Sequence, residues 1–98
     1  MSENFETIFE FCLKNDLKSI ENFISKGGSI NIQDKGNTLL HISSQNGFID
    51  IVKFLINHQA DLSIRNNGQT VIDIAKKFNQ KEILKELLNK TLSNNLKK

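Results

Sequence analysis

The chain has 98 residues, 13 basic and 11 acidic side chains, a formal net charge of +2, one cysteine and no proline, tryptophan or tyrosine. A chain this short folds as one domain and buries only a little over ~60% of the surface its unfolded form exposes, so its core is modest. Cys12 has no partner for an internal disulfide, no apolar run approaches the ~20 residues of a bilayer span, and the acid-rich start (Glu3, Glu6, Glu10) is unlike a secretory leader. A reducing, cytoplasmic setting is expected, either in the producing cell or inside another cell to which the protein is delivered.

Taken in chain order, residues 5–14 place Phe5, Ile8, Phe9, Cys12 and Leu13 at helical spacing, and Asn15-Asp16 stops that helix and caps the next. The second helix is predicted over 17–25, with Leu17, Ile20, Phe23 and Ile24 inward, and Gly27-Gly28 ends it through a left-handed residue. Residues 29–36 (SINIQDKG) alternate and then turn, as a short extended arm does, and the shape returns in 62–68 (LSIRNNG). Each arm is too short for a true sheet, and neighbouring arms are expected to pair as small hairpin fingers.

A third helix is predicted over 38–46, a turn at Gly47, and a fourth helix over about 49–58 with Ile51, Val52, Leu55 and Ile56 inward. The plan repeats in 70–78, Asn79 and 81–89. Leu84, Leu88, Leu92 and Leu96 share one face at i, i+4 spacing, so the last helix either continues or frays from Thr91 onward.

A period of 32 residues runs through these elements: Ile8, Leu40 and Ile72; Ile20, Val52 and Leu84; Phe23, Leu55 and Leu87; Ile24, Ile56 and Leu88. Asn15, Gly47 and Asn79 share that register, and both residue types adopt the positive φ that a tight turn between helices requires. Two helices and a turn repeated at about this spacing form a stacked solenoid, for which three repeats are near the minimum. The repeats are placed at about 5–31, 32–63 and 64–90, with a tail at 91–98.

Charge is uneven along the stack. Residues 1–49 hold four lysines against six acids, and residues 50–98 hold nine basic residues against five acids. The resulting dipole of about −2 and +4 can steer a partner, but only Lys76, Lys77 and Lys81 cluster closely, a weak footprint for nucleic acid.

The chemistry of catalysis is missing. His41 and His58 have no Cys or carboxylate at metal-ligand spacing, no glycine-rich phosphate loop follows a strand, and no Ser, His and acid arrangement presents itself. Neither an enzyme nor a cofactor or metal site is expected. His58, near a helix end, is expected to be exposed. Cys12, at a small position in register with Ser44, is expected to be a buried inert thiol.

The sequence GNTLLH at 36–41, SSQNG at 43–47 and IVKFLINHQAD at 51–61 resembles the ankyrin repeat, and GQTVIDIA at 68–75 resembles the next copy. Residues 5–31 are similar to a degenerate first copy without the T-x-L-H signature. The resemblance implies an all-α solenoid of three helix-turn-helix repeats with short β-hairpin fingers. It implies structural roles for Thr38 and Thr70 as helix caps, for His41 and Asp73 reaching back as in a capping box, and for Gly47 and Gly68 as turns. In the family this histidine also ties its repeat to the neighbouring turn.

Three positions depart from the family pattern. Leu39 and Val71 replace a helix-starting Pro, Ser43 replaces a packed Ala, and Gln59 stands where Gly takes positive φ.

The resemblance further implies non-enzymatic binding of another protein through the concave face. Contacts are expected at Lys35, Asn37, Arg65, Asn67 and Gln69 on the fingers and at Leu13, Lys14, Gln45, Asn46, Lys77 and Phe78 on the first helices, led by Arg65 and Phe78. Phe78 is alternatively packed against the helix that follows, and Arg65 alternatively a solvated tip charge. An inhibitor or immunity-type protein that occludes an enzyme or toxin is the alternative to a simple adaptor, and nucleic-acid binding through the basic half is a third reading. A monomer or weak self-association through Leu92 and Leu96 is expected.

Overall fold

A computed structural model describes residues 7–96. The first helix, α1 (Ile8–Leu13), starts three residues later than the apolar spacing suggested, because Thr7 caps it. The Thr7 hydroxyl accepts from the Glu10 N–H at 3.3 Å and the Glu10 carboxylate accepts from the Thr7 N–H at 3.0 Å, a reciprocal cap of two orphan donors. Phe5 lies outside the described residues. The degenerate first copy therefore keeps a helix-starting threonine although it lacks the signature around it.

From Thr7 to Asn15 is one residue shorter than from Thr38 to Gly47 or from Thr70 to Asn79. The 32-residue register holds at the turns and slips to 31 at the start of α1. Ile8 thus stands at the cap end with buried Leu39 and Val71, where a plain count of 32 pairs it with Leu40 and Ile72. The turns fall where the sequence put them, with φ of 59° at Asn15, 78° at Gly47 and 56° at Asn79.

The second helix, α2 (Leu17–Ser25), is capped by Asp16, whose carboxylate accepts from the Ser19 N–H at 3.2 Å and the Ser19 hydroxyl at 2.8 Å. Next come β1 (Gln33–Asp34) and β2 (Asn37–Thr38), antiparallel, with Gln33 opposite Thr38 and Asp34 opposite Asn37. Lys35 and Gly36 between them have φ of 55° and 90°, the two positive angles of a type I′ hairpin turn. The second finger repeats this with an Asn66–Gln69 bridge around Asn67 (φ 55°) and Gly68 (φ 78°). Each arm folds back on itself, which corrects the expectation that neighbouring arms pair with one another. A two-residue turn at positive φ closes the ladder locally before a second arm can join it.

The helices that follow are α3 (Leu39–Asn46), α4 (Ile49–Asn57), α5 (Val71–Lys77) and α6 (Lys81–Leu96). The first helices α1, α3 and α5 pack side by side, each against its own second helix, and α4 packs on α6. The stack measures 48 × 26 × 22 Å. Its core runs continuously through Ile8, Cys12, Ile20, Leu39, Ile51, Leu55, Val71, Ile83 and Leu87. Of the two endings considered for α6, the helix continues through Leu96, and Thr91 donates to the Leu87 carbonyl at 2.9 Å.

Small polar residues inside the stack are handled unequally. Ser43 donates to the Leu40 carbonyl at 3.3 Å, the local satisfaction expected where a serine replaces alanine. Ser44 is fully buried and its hydroxyl has no partner among the described residues. Cys12, three residues before its turn as Ser44 is before Gly47, donates from Sγ to the Leu39 carbonyl at 3.6 Å, and burial pushes its thiol up to about 12.

At the end of α4, Gln59 has φ of 70°, a left-handed angle that costs a residue bearing Cβ about 1 kcal/mol over glycine. Gln59→Gly is expected to raise Tm by about 4–8 °C in a domain of this size. A melt that stays level or falls would show that the Gln59 side chain contributes more than its strain removes.

Three carboxylates are held below their ordinary range by hydrogen bonds: Asp16 by the Ser19 hydroxyl and then its N–H, Asp61 by the Ser63 hydroxyl and then its N–H, and Asp73 chiefly by the Thr70 N–H. A carboxyl whose folded pKa is depressed contributes stability that is present above the unfolded value, near ~4, and lost as pH falls through the folded one. The urea midpoint is therefore expected to drop progressively below about pH 4, and Asp16→Asn to flatten part of that fall. A midpoint that climbs on acidification would contradict these caps.

Candidate binding surface

Each finger leads directly into the N-terminal end of a first helix, so the caps there set how the fingers are carried. Thr38 accepts from the His41 N–H at 3.1 Å, and its hydroxyl lies 2.8 Å from His41 Nδ1. His41 Nε2 lies 3.1 Å from the Gln69 carbonyl of the next finger. A carbonyl only accepts, so Nε2 carries the proton, Nδ1 is the acceptor, and the Thr38 hydroxyl donates to it. The ring thus bonds the hydroxyl and not the backbone N–H of Thr38, which departs from a capping box. Thr70 and Asp73 form the true box: Asp73 accepts from the Thr70 N–H at 3.0 Å and Thr70 from the Asp73 N–H at 3.3 Å.

The fingers are also joined side by side. Asn66 Nδ2 donates to Asn37 Oδ1 at 2.7 Å, the Asp61 N–H donates to Asn31 Oδ1 at 2.9 Å, and Gln80 Nε2 donates to the Gln45 carbonyl at 2.9 Å at the opposite end of α3. Within the second finger, Arg65 Nη1 donates to the Gly68 carbonyl at 2.8 Å. The guanidinium is exposed but held across the turn, close enough to Asp73 to help depress its carboxyl.

The expected contact residues divide into two groups. On the fingers, Lys35, Arg65 and Asn67 are exposed at or beside the tips, whereas Asn37 and Gln69 are half-buried and engaged in the bonds above. At the far ends of the first helices, Leu13, Lys14, Gln45, Asn46, Lys77 and Phe78 are all exposed, with Leu13 at 57% and Phe78 at 41%. Asn46 donates back to the Ile42 carbonyl at 2.8 Å, and Lys77 Nζ stands 5.7 Å from the centre of the Phe78 ring. A helix of eight residues separates the groups by about 12 Å. They form two rims of one surface rather than one cluster.

The sequence reading passed over a third feature, an apolar groove of 610 Å³ on the first repeat, lined by Ile8, Phe9, Phe11, Phe23 and Ile32 with Asp34 on its edge. The signal was Phe11, which counts back from its turn to the same position as Ser43 and Ala75, both fully buried small residues. A large ring stands there because no preceding helix packs on that side among the described residues.

Among the described residues, the histidines and the cysteine are each otherwise engaged. Both His41 ring nitrogens are engaged, His58 stacks on Phe54 with ring centres 4.1 Å apart and Nδ1 2.9 Å from the Phe54 carbonyl, and Cys12 is sealed in the core. Among the described residues, no group of His, Cys, Asp or Glu is arranged to hold a metal ion. No helix among them is long and apolar enough to cross a membrane.

The family model for ankyrin repeats, in three copies, matches residues 8–98. An ankyrin repeat protein of Fowlpox virus (strain NVSL) is 35% identical over 65 residues, which is 65% of this chain and 9% of that protein. Alpha-latroinsectotoxin-Lt1a of Latrodectus tredecimguttatus is 38% identical over 55 residues, 54% of this chain and 4% of the toxin. The chain thus spans less than a tenth of either relative.

Proposed function

The chain belongs to the ankyrin repeat family, whose repeats are generally non-enzymatic protein interaction modules, and from that premise we propose that it binds a partner protein through the surface bounded by its finger tips and the far ends of its first helices. The observation that carries this reading is the pairing of stiff fingers with exposed apolar residues. The finger side chains Asn37, Asn66 and Arg65 are already engaged, so little side-chain freedom remains to be lost on binding. Leu13 and Phe78 supply exposed apolar area at one rim, and the Phe78 ring is of the aromatic type enriched at protein interfaces. Lys35 and Asn67 at the tips supply polar contacts at the other rim. One side of a standard interface needs about 800 Å², within reach of three repeats.

The test is capture from a lysate of the source cells by the wild type and by a Leu13→Ala, Phe78→Ala variant. Arg65→Ala is less suitable, because Arg65 also closes its own finger. A protein held by the wild type and lost by the folded variant is then purified and titrated, with affinity expected to fall at least tenfold. Equal capture by both would remove the surface from consideration, and capture of nucleic acid alone, weakening steeply with salt, would replace a protein partner with a phosphate backbone. Assaying the captured partner's activity separates an adaptor from an inhibitor.

A further inference from the structure

The two ends of the stack are unlike each other, and among the described residues each shows apolar side chains at positions that the middle buries. In the second repeat Val52 and Ile56 on α4 are buried, where α6 packs against that helix. The residues 32 positions later are Leu84, half-buried, and Leu88, 46% exposed, and Leu92 one turn on is 52% exposed. The same apolar register is thus written on α6 with nothing laid over it among the described residues. Lys81 and Lys85 flank these leucines. At the opposite end lies the Phe9, Phe11 and Phe23 groove, with Asp34 and Lys26 on its edge.

We infer that the α6 face of one copy docks on the first-repeat groove of a second copy, continuing the repeat stack from molecule to molecule. Two observations favour a second copy, head to tail. The interface continues the one already present between repeats, with Leu84 and Leu88 in the register of Val52 and Ile56. Charge also selects the direction. A symmetric α6-to-α6 pairing sets Lys81 and Lys85 against their own copies, whereas a head-to-tail contact sets them against a groove whose edge carries Asp34 beside Lys26. Such a contact uses two different patches, so a pair of copies leaves one head and one tail free and further copies add to them. The inference concerns the ends of the stack and is independent of the partner-binding surface.

Two variants made at exposed positions test it. Leu88→Lys with Leu92→Lys blocks the tail, and Asn22→Lys with Asp34→Lys blocks the head by placing positive charge in and beside the groove. In sedimentation velocity from micromolar to millimolar concentration, the wild type is expected to rise continuously beyond twice its 11.2 kDa mass, and less so at high salt. Each variant alone is expected to stay monomeric. Mixed, they are expected to form a one-to-one dimer and stop there, since one keeps a free head and the other a free tail. A wild type that remains monomeric throughout would overturn the inference. A head-blocked variant that still dimerises alone would also overturn it, in favour of symmetric pairing through α6.

Discussion

His41→Ala is expected to cost about 2–4 kcal/mol, the loss of a buried ring together with its hydrogen bonds to the Thr38 hydroxyl and the Gln69 carbonyl. His41 is 2% exposed and its ring stands between the Thr38 hydroxyl and the Gln69 carbonyl, so its removal unties α3 from the next finger and leaves the cap with only the backbone N–H of residue 41 donating to Thr38. A domain of this length has roughly 5–15 kcal/mol in total, so the urea midpoint should fall by about an eighth or more. His58→Ala is the control. Its ring is exposed and bonded only within its own helix, and its loss should cost under about 1 kcal/mol. Equal midpoints for the two variants would mean that the tie between repeats contributes little.

A second large effect separates two adjacent leucines. Leu87 is fully buried against the second-helix row and Leu88 is 46% exposed. Leu87→Ala is expected to cost about 2–5 kcal/mol, and Leu88→Ala less than about 1 kcal/mol in the monomer. The comparison, made by denaturant titration at low protein concentration, reads the rotational setting of α6 directly. If Leu88→Ala proved the costlier, α6 would be turned by about 100° from its position here.

Local chemistry made much of this architecture legible. A turn at positive φ is made most easily by Gly or Asn, so Asn15, Gly47 and Asn79 could be placed from residue type and spacing alone. Gln59 was identified as strained because a family glycine is missing there, and its φ of 70° agrees. The shortened first helix was harder to see, since a one-residue slip changes no residue type and shows only when Thr7 is recognised as a cap. The hairpins were misjudged for a similar reason: Lys35 gives no hint of the positive φ that folds its finger back on itself.

The candidate binding surface was legible only as a set of positions. Its stiffness comes from bonds such as Asn66 to Asn37 and Gln80 to Gln45, between residues 29 and 35 apart, which no local pattern encodes. The groove on the first repeat escaped because Phe11 stands outside the helical-spacing set of Phe5, Ile8, Phe9, Cys12 and Leu13, and its position tells only when its counterparts Ser43 and Ala75 are set beside it.

Cys12 gives the stack an internal clock. The second and third repeats are latched by His41, Asn66 and Gln80, whereas the first and second are joined by the long thiol contact of Cys12 to the Leu39 carbonyl and by the Asp61 N–H to Asn31 at the fingers. Solenoid repeats open in proportion to what holds each to its neighbour, so the first repeat should part from the second well before the whole chain unfolds. The thiol is sealed while the two are joined and becomes modifiable the moment they separate. Its alkylation rate under native conditions therefore times that partial opening, and it should exceed the rate set by global unfolding.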